Sequence, residues 1–542
     1  MKKSTASTIS AMACAVAFGF VSSLAIAAPQ EQRFIIQYKD GQSSEVRNAL
    51  NRAGAKIARD LSGHNAVAAH IPTAALQGLS RNPNIEFIEE DVKRYPLATQ
   101  FEPDGIPYGI SMVQADLVSE VTVDPEKTVC IIDSGIDLSH PEFESQFNIT
   151  GTSDSGTGDW YTDEVGHGTH VAGTVAALKN DEGVIGVNSS GVLNIHIIKV
   201  FGADGWAYSS DLVAALDACE NAGADVVSMS LGGNAKSRSE SLAFDQAEAN
   251  GILSIAAAGN GGNTRKSYPA SYDSVVSIAA IDANMVIADF SQQNDQVELS
   301  APGVLVVSSV PLGTGLLADV EVDGTGYETF AMEGSPMLIA SGVLVDCGTA
   351  ETVCAATGSV CLIERGVITF AEKVLNCQDG GGIGAIIYNN EPGAFLGTLG
   401  DTVTTIPSVS VSDTDGASMV PGSDALVSVY MGDYSYYDGT SMATPHVSGV
   451  AALIWNNAPD CSSADVREAM AQSALDLGDI GRDNAYGFGL VQAVDAKSLL
   501  LDPDFCGGST VCDLGQKGDA CVTDADCCSE LCRGRPGAKV CR

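Results

Sequence analysis

A chain of 542 residues with 28 basic and 68 acidic side chains has a formal net charge of −40, which argues against nucleic acid and anionic membranes as partners. Hydrophobic residues make up 45% and charged residues 18%, so the chain buries cores rather than remaining disordered, and its length allows several domains.

In chain order, Lys2 and Lys3 precede an apolar run from Ala11 to Ala27 that ends in Ala25, Ile26 and Ala27, the small-residue pattern of signal cleavage. The run is too short and too rich in small residues for an anchoring helix. Residues 1–27 are therefore expected to be a signal peptide. No other stretch is long and apolar enough to span a bilayer, so a secreted, soluble product with no membrane partner is expected. Residues 28–100 show strand-like RFIIQYK, helix-spaced EVRNALNRAGAKI, and strand candidates AVAAHIP and IEFIEED, a compact α+β unit. Nine basic against eight acidic residues between 28 and 97 leave this part near neutral, so the acidity belongs to residues 98–542.

The run Val129 to Ile132 is a buried parallel strand by its composition, with Asp133 at its carboxyl end, the edge where open α/β sheets bind ligands. His167, between Gly166 and Gly168, stands where a loop gives way to an alanine-rich helical pattern. Ser441 follows YSYYDG and opens the apolar helix MATPHVSGVAALIW, so its hydroxyl sits at a helix N-terminus that favours developing negative charge. Serine is a weak nucleophile at neutral pH, histidine can take its proton, and a carboxylate fixes the histidine tautomer. Each of the three residues alone is more often structural, and so are His170 and His446.

The segments DSGID, HGTHVAG, AAAGN and GTSMATPH, in this order, resemble those of the subtilisin-like serine peptidases, the subtilases. The resemblance implies a mostly parallel α/β sheet with helices on both faces over residues 101–500. It also implies Ser441 as nucleophile, His167 as general base and acid, and Asp133 as its orienting partner. Asn260 in SIAAAGNGG would donate to the oxyanion together with the backbone N–H of Ser441. Ser228 to Gly233 would pair with extended protein or peptide substrate. The side-chain pocket would lie between Ser230, Leu231, Gly232 and Ala257 to Gly259, with Ser267 at its base, and would prefer apolar or aromatic residues. The α+β unit at 28–100 resembles an inhibitory propeptide, which makes the chain an inactive precursor with its own propeptide as inhibitor; the mature form is expected to be a monomer.

A calcium ion is implied by the same resemblance, with side-chain oxygens from Asp104, Glu142 and Asn180 and carbonyls from Leu178, Glu182 and Val184. Between Val310 and Tyr434 the chain is too long for a loop, and LIERGVITFAEKVLNCQDGGGIGAIIYNN resembles the protease-associated (PA) domain, placed at 312–432. Excluding Cys14, fourteen cysteines remain, an even number that suits an oxidising compartment. Cys130 with Cys219, and Cys461 with Cys506, are expected pairs, and Cys347, Cys354, Cys361 and Cys377 fall in the insert. The last six cysteines, in a module at 506–542, resemble an inhibitor cystine knot, which implies Cys512–Cys528, Cys521–Cys532 and Cys527–Cys541. A binding protein on the same fold would keep the motifs without proteolysis, and a toxin or inhibitor would act through the tail alone. An acyl hydrolase would require the GxSxG turn that this serine lacks.

Overall fold

The computed structural model describes residues 32–91, 93–96, 106–123, 126–144, 148–153, 156–202 and 205–506, and the strand pair 532–535 with 538–541. The expected signal peptide, Asp104 and the implied knot pairings lie outside the described residues.

The N-terminal unit contains β1 (Gln32–Tyr38), α1 (Ser43–Arg52), β2 (Lys56–Leu61), β3 (Ala66–Ile71), α2 (Thr73–Leu79) and β4 (Ile85–Glu90). Its antiparallel sheet has the order β2-β3-β1-β4. Strand alternation divides its faces: Ile36, Tyr38, Val67 and Ala69 pack on Val46 and Leu50 of α1, whereas Ile35, Leu61 and Ala66 join a core shared with the next domain. Beyond it, β5 (Lys93–Pro96) is a separate strand.

The main domain runs through α3 (Tyr108–Met112), β6 (Thr128–Asp133), β7 (Ile149–Thr152), α4 (His167–Ala176), β8 (Asn194–Lys199), β9 (Ala207–Tyr208) and α5 (Ser209–Asn221). It continues through β10 (Val226–Met229), β11 (Leu231–Gly232), α6 (Arg238–Ala249), β12 (Leu253–Ala257), β13 (Val275–Ile281) and β14 (Val297–Pro302). Seven strands form one all-parallel sheet in the order β14-β13-β12-β10-β6-β8-β7. The chain fills the sheet to one side of β6 and then to the other, so a crevice opens at the carboxyl end of β6. Because β6 is covered on both faces it is a continuous apolar run. Val129 and Ile131 enter one core and Cys130 and Ile132 the other. The Cys130–Cys219 disulfide joins β6 to α5, as expected from the sequence.

After β15 (Val306–Ser309) the chain leaves for the insert. There an eight-stranded mixed sheet is built from β16 (Gly315–Val322), β17 (Thr325–Tyr327), β18 (Phe330–Ala331), β19 (Ile339–Asp346), β20 (Val360–Glu364), β21 (Gly384–Tyr388), β22 (Ser408–Val411) and β23 (Asp424–Gly432). It carries α7 (Phe370–Asp379), capped by a Thr369–Glu372 box, and α8 (Asp413–Ser418). The insert has its own apolar cores and the disulfides Cys347–Cys354 and Cys361–Cys377. The return strand β24 (Tyr434–Tyr437) pairs antiparallel with β15, so the insert stands on a two-stranded stalk. It is followed by α9 (Thr440–Asn457), α10 (Ser463–Gln472) and α11 (Ala493–Leu500), with Cys461–Cys506 closing the end as expected.

The turn after β6 is tightly constrained. Gly135 has φ +107°, and a Cβ there would lie 2.1 Å from the carbonyl oxygen of Thr162. Gly135→Ala is expected to cost about 2–3 kcal/mol, read as a lower denaturant midpoint; an unchanged midpoint would show that this turn can relax.

Candidate active site

Asp133 ends β6 and His167 begins α4, and both side chains are buried. His167 Nδ1 lies 2.7 Å from Asp133 Oδ1 and 2.9 Å from Oδ2, so it donates to the carboxylate, and Nε2 is buried without a hydrogen-bond partner among the described residues. Burial alone would lower the imidazole pKa, but the Asp133 charge and hydrogen bond, helped by Asp163, raise it above its ordinary value.

Asp163 had no part in the sequence reading. Its Oδ1 accepts from the Ser134 hydroxyl at 2.8 Å and from the N–H groups of Val165 and Gly166 at 3.1 and 2.8 Å. Its Oδ2 accepts from the Thr169 N–H at 2.9 Å and the Thr169 hydroxyl at 2.7 Å. The Ser134 hydroxyl in turn accepts from the Gly168 N–H at 2.8 Å. One carboxylate thus ties the residue after Asp133 to the first turn of the helix that His167 opens. The available signal was an acid four residues before a histidine at a helix start.

Ser441 is the second residue of α9, a helix buried in the main core from Thr440 to Asn456. Pro445 has no N–H to give to the Ser441 carbonyl four residues earlier, and the Ser230 hydroxyl donates to that carbonyl instead at 2.7 Å. The Ser441 hydroxyl donates back to the Ser230 carbonyl at 3.0 Å. Asn260 Oδ1 accepts from the Thr440 N–H at 3.0 Å and the Thr440 hydroxyl at 2.7 Å, which turns the amide's donor end, Nδ2, off Thr440. Thr440 also accepts from the Gly259 N–H at 3.1 Å, joining the expected amide donor to the nucleophile turn.

The pocket residues expected from the sequence converge as well. A Cβ on Gly232 would lie 2.5 Å from Ser267 Oγ, and one on Gly259 would lie 3.2 Å from Ser267 Cβ. Leu231 and Ala257 are buried in the flanking strands. The chain's own β5 lies antiparallel to both β11 and β9, with Leu231 opposite Pro96 and Gly232 opposite Tyr95. Of the other histidines, His170 and His446 are structural. His170 Nε2 donates to the carbonyls of Val306 and Ser435 at 3.0 and 2.9 Å, and burial lowers its pKa to about 3. His446 Nδ1 donates to the Met442 carbonyl at 2.8 Å, and burial lowers its pKa to about 4.

Of the implied calcium ligands, the described ones lie together. The Leu178 N–H donates to the Glu142 carbonyl at 3.3 Å, and Glu142 Oε1 accepts from the Val184 N–H at 3.0 Å and the Tyr434 hydroxyl at 2.9 Å. Asn180 Oδ1 accepts from the Glu182 N–H at 3.0 Å, and burial raises the Glu142 pKa to about 7. All are oxygen-bearing groups, with Glu142 from the segment after β6 meeting the loop 178–184, which suits a hard cation, although protein donors already hold two of these oxygens.

Comparison with known proteins agrees with this geometry. The subtilase family model matches residues 125–331 and 418–489, and the PA domain model matches residues 301–419. The chain belongs to the subtilase family, with an inserted PA domain, and is a subtilisin-like serine endopeptidase. Among its relatives, subtilisin DY from Bacillus licheniformis is 38% identical over 242 residues, covering 44% of this chain and 85% of that protein. Subtilisin E from Bacillus subtilis (strain 168) is 32% identical over 322 residues, covering 57% and 81%. The crystal structure of the psychrophilic subtilisin-like protease Apa1 from the Antarctic psychrotroph Pseudoalteromonas sp. AS-11 matches with a TM-score of 0.65 and 42% identity, covering 74% of this chain and 100% of that one.

The Asp163 network predicts a measurable charge effect. NMR titration of His167 should show a midpoint above the ordinary value of about 6.5, and Asp163→Asn should lower it, since less negative charge then favours the imidazolium. A midpoint that does not move would remove Asp163 from the electrostatics of the site.

Proposed function

We propose that this chain is the inactive precursor of a secreted endopeptidase that cleaves proteins through Asp133, His167 and Ser441, with Asn260 as oxyanion donor. The observation that carries this reading is the buried His167 imidazole, with Nδ1 held by both Asp133 oxygens and Nε2 left without a partner among the described residues. In the proposed reaction the Ser441 hydroxyl turns from the Ser230 carbonyl, gives its proton to His167 Nε2 and attacks the peptide carbonyl carbon. Asn260 Nδ2 and the Ser441 N–H receive the oxyanion, the latter as one of the unpaired donors of the first helical turn. The imidazolium, stabilised by Asp133, protonates the leaving amine, and water repeats the sequence to release the acyl group.

Residues 28–100 serve in this proposal as propeptide inhibitor. Support comes from β5, which fills the place of a substrate strand between β9 and β11, leading toward Ser230. Two carboxylates anchor it on helix N-termini. Glu89 accepts from the N–H groups of Arg238 and Ser239, both at 2.6 Å, at the start of α6, and Asp91 accepts from the Ser210 N–H at 2.8 Å at the start of α5. Arg33 and Arg59 reach Asp211 at 2.9 and 2.7 Å. Secretion is supported by the leader sequence and four disulfides among the described residues.

Ser441→Ala protein should show no peptidase activity, and Asn260→Leu should lower turnover roughly 10²–10³-fold, about 3–4 kcal/mol. Activity that survives the serine change in a clean preparation would place the nucleophile elsewhere. Calcium, as proposed, is held by Glu142 and Asn180 with the Leu178, Glu182 and Val184 carbonyls and Asp104, and braces the loop over Glu142. A chelator should then lower the thermal midpoint by several degrees, and an unchanged midpoint would overturn the site.

A further inference from the structure

Gln292 lies beneath the pocket that the proposed function assigns to the substrate side chain preceding the scissile bond, and it is 5% exposed. Its backbone N–H donates to the Gly259 carbonyl at 2.9 Å, which folds the side chain back under the glycine-rich wall. Nε2 donates to the Arg265 carbonyl, and Asn294 Nδ2 donates to the same carbonyl at 3.2 Å, so the oxygen is the end of the amide that faces the wall. Gln292 Oε1 would lie 2.5 Å from a Cβ on Gly259 and 3.1 Å from one on Gly261. Ser267 lies beside it, with its Cβ 3.2 Å from that same Gly259 position and its hydroxyl 2.5 Å from a Cβ on Gly232. Among the described residues no donor reaches Gln292 Oε1, and no partner holds Ser267 Oγ.

The floor between Gly232 of one wall and Gly259 of the other is therefore polar, and one of its two groups is a fixed acceptor. Substrate that fills the pocket excludes water from it. An apolar ring then leaves the acceptor unpaired, whereas a side chain of the same shape with a terminal donor satisfies it. We propose that Gln292 determines specificity: its Oε1 accepts a hydrogen bond from the substrate side chain, so the enzyme prefers tyrosine to phenylalanine at this position. Aromatic shape is still accepted, as the sequence implies, and the hydroxyl decides between the two rings. This inference rests on the assignment of the pocket to that substrate side chain.

The test uses matched peptides that differ only in Tyr or Phe before the cleaved bond, with the ratio of their kcat/KM values as the readout. The processed wild-type enzyme should favour Tyr by about tenfold, and Gln292→Leu should bring the ratio close to one. Gln292→Glu, which keeps the shape and adds a charge, should raise cleavage after Lys relative to Met by tenfold or more. A wild-type ratio near one, or a ratio that Gln292→Leu leaves unchanged, would overturn the inference. So would a Gln292→Glu enzyme with unaltered Lys-to-Met preference. The Ser441→Ala protein, assayed on the same peptides, tests the catalytic reading separately, because its loss of activity does not depend on which ring is offered.

Discussion

A charged carboxylate is hard to bury, and the site depends on how this protein buries one. Asp133 has no exposed surface, so its charge must be met by donors, and the donors are the His167 imidazole and the Ser134 N–H at 2.7 Å. The parallel sheet makes this burial possible. Strand β6, covered on both faces, ends at Asp133, and the loops that follow β6 and precede α4 are locked to each other through Asp163 and Ser134. Burial and pairing also fix the imidazole tautomer, with Nδ1 as donor and Nε2 as the basic nitrogen.

A second constraint comes from backbone chemistry at the start of α9. Proline inside a helix normally removes a hydrogen bond and disturbs the turn before it. Here Pro445 leaves the Ser441 carbonyl to Ser230, and Ser230 returns its own carbonyl to the Ser441 hydroxyl, so the loop after β10 is held against the nucleophile turn from both sides. Ser230 therefore supports Ser441, and in the proposed reading it also belongs to the substrate wall. The N-terminal unit uses the same helix-end physics on the opposite face of the sheet, where Glu89 and Asp91 meet the N-termini of α6 and α5 and lead β5 into the cleft.

Much of this was legible in the sequence because it is local. The apolar run before Asp133, the glycines around His167 and the turn before Ser441 each carry their signal within a few residues, and the even number of cysteines signals crosslinks, although the pairs Cys130–Cys219 and Cys461–Cys506 span 89 and 45 residues. The insert was visible as excess length between two strands that turn out to pair. What the sequence did not display depends on contacts between distant segments. Asp163 matters because it meets Ser134 and Thr169, Thr440 because it meets Asn260, and Gln292 because the chain returns under Gly259 and Ser267. Asp163 carries only the weak signal of an acid four residues before a histidine, Thr440 lies in the motif around Ser441 without displaying its partner, and nothing in the neighbours of Gln292 distinguishes it from an ordinary surface group. Tyr434, whose hydroxyl holds the Glu142 carboxylate, was read only as part of the strand before the nucleophile.

The central claim is that one serine hydroxyl is made nucleophilic by the buried imidazole. Covalent labelling of the processed enzyme with a sulfonyl fluoride, followed by peptide mass mapping, tests it most directly. The account predicts a single adduct on Ser441, loss of peptidase activity in proportion to labelling, and almost no labelling of His167→Ala protein. An adduct on another residue, or full labelling of Ser441 without the imidazole, would contradict it.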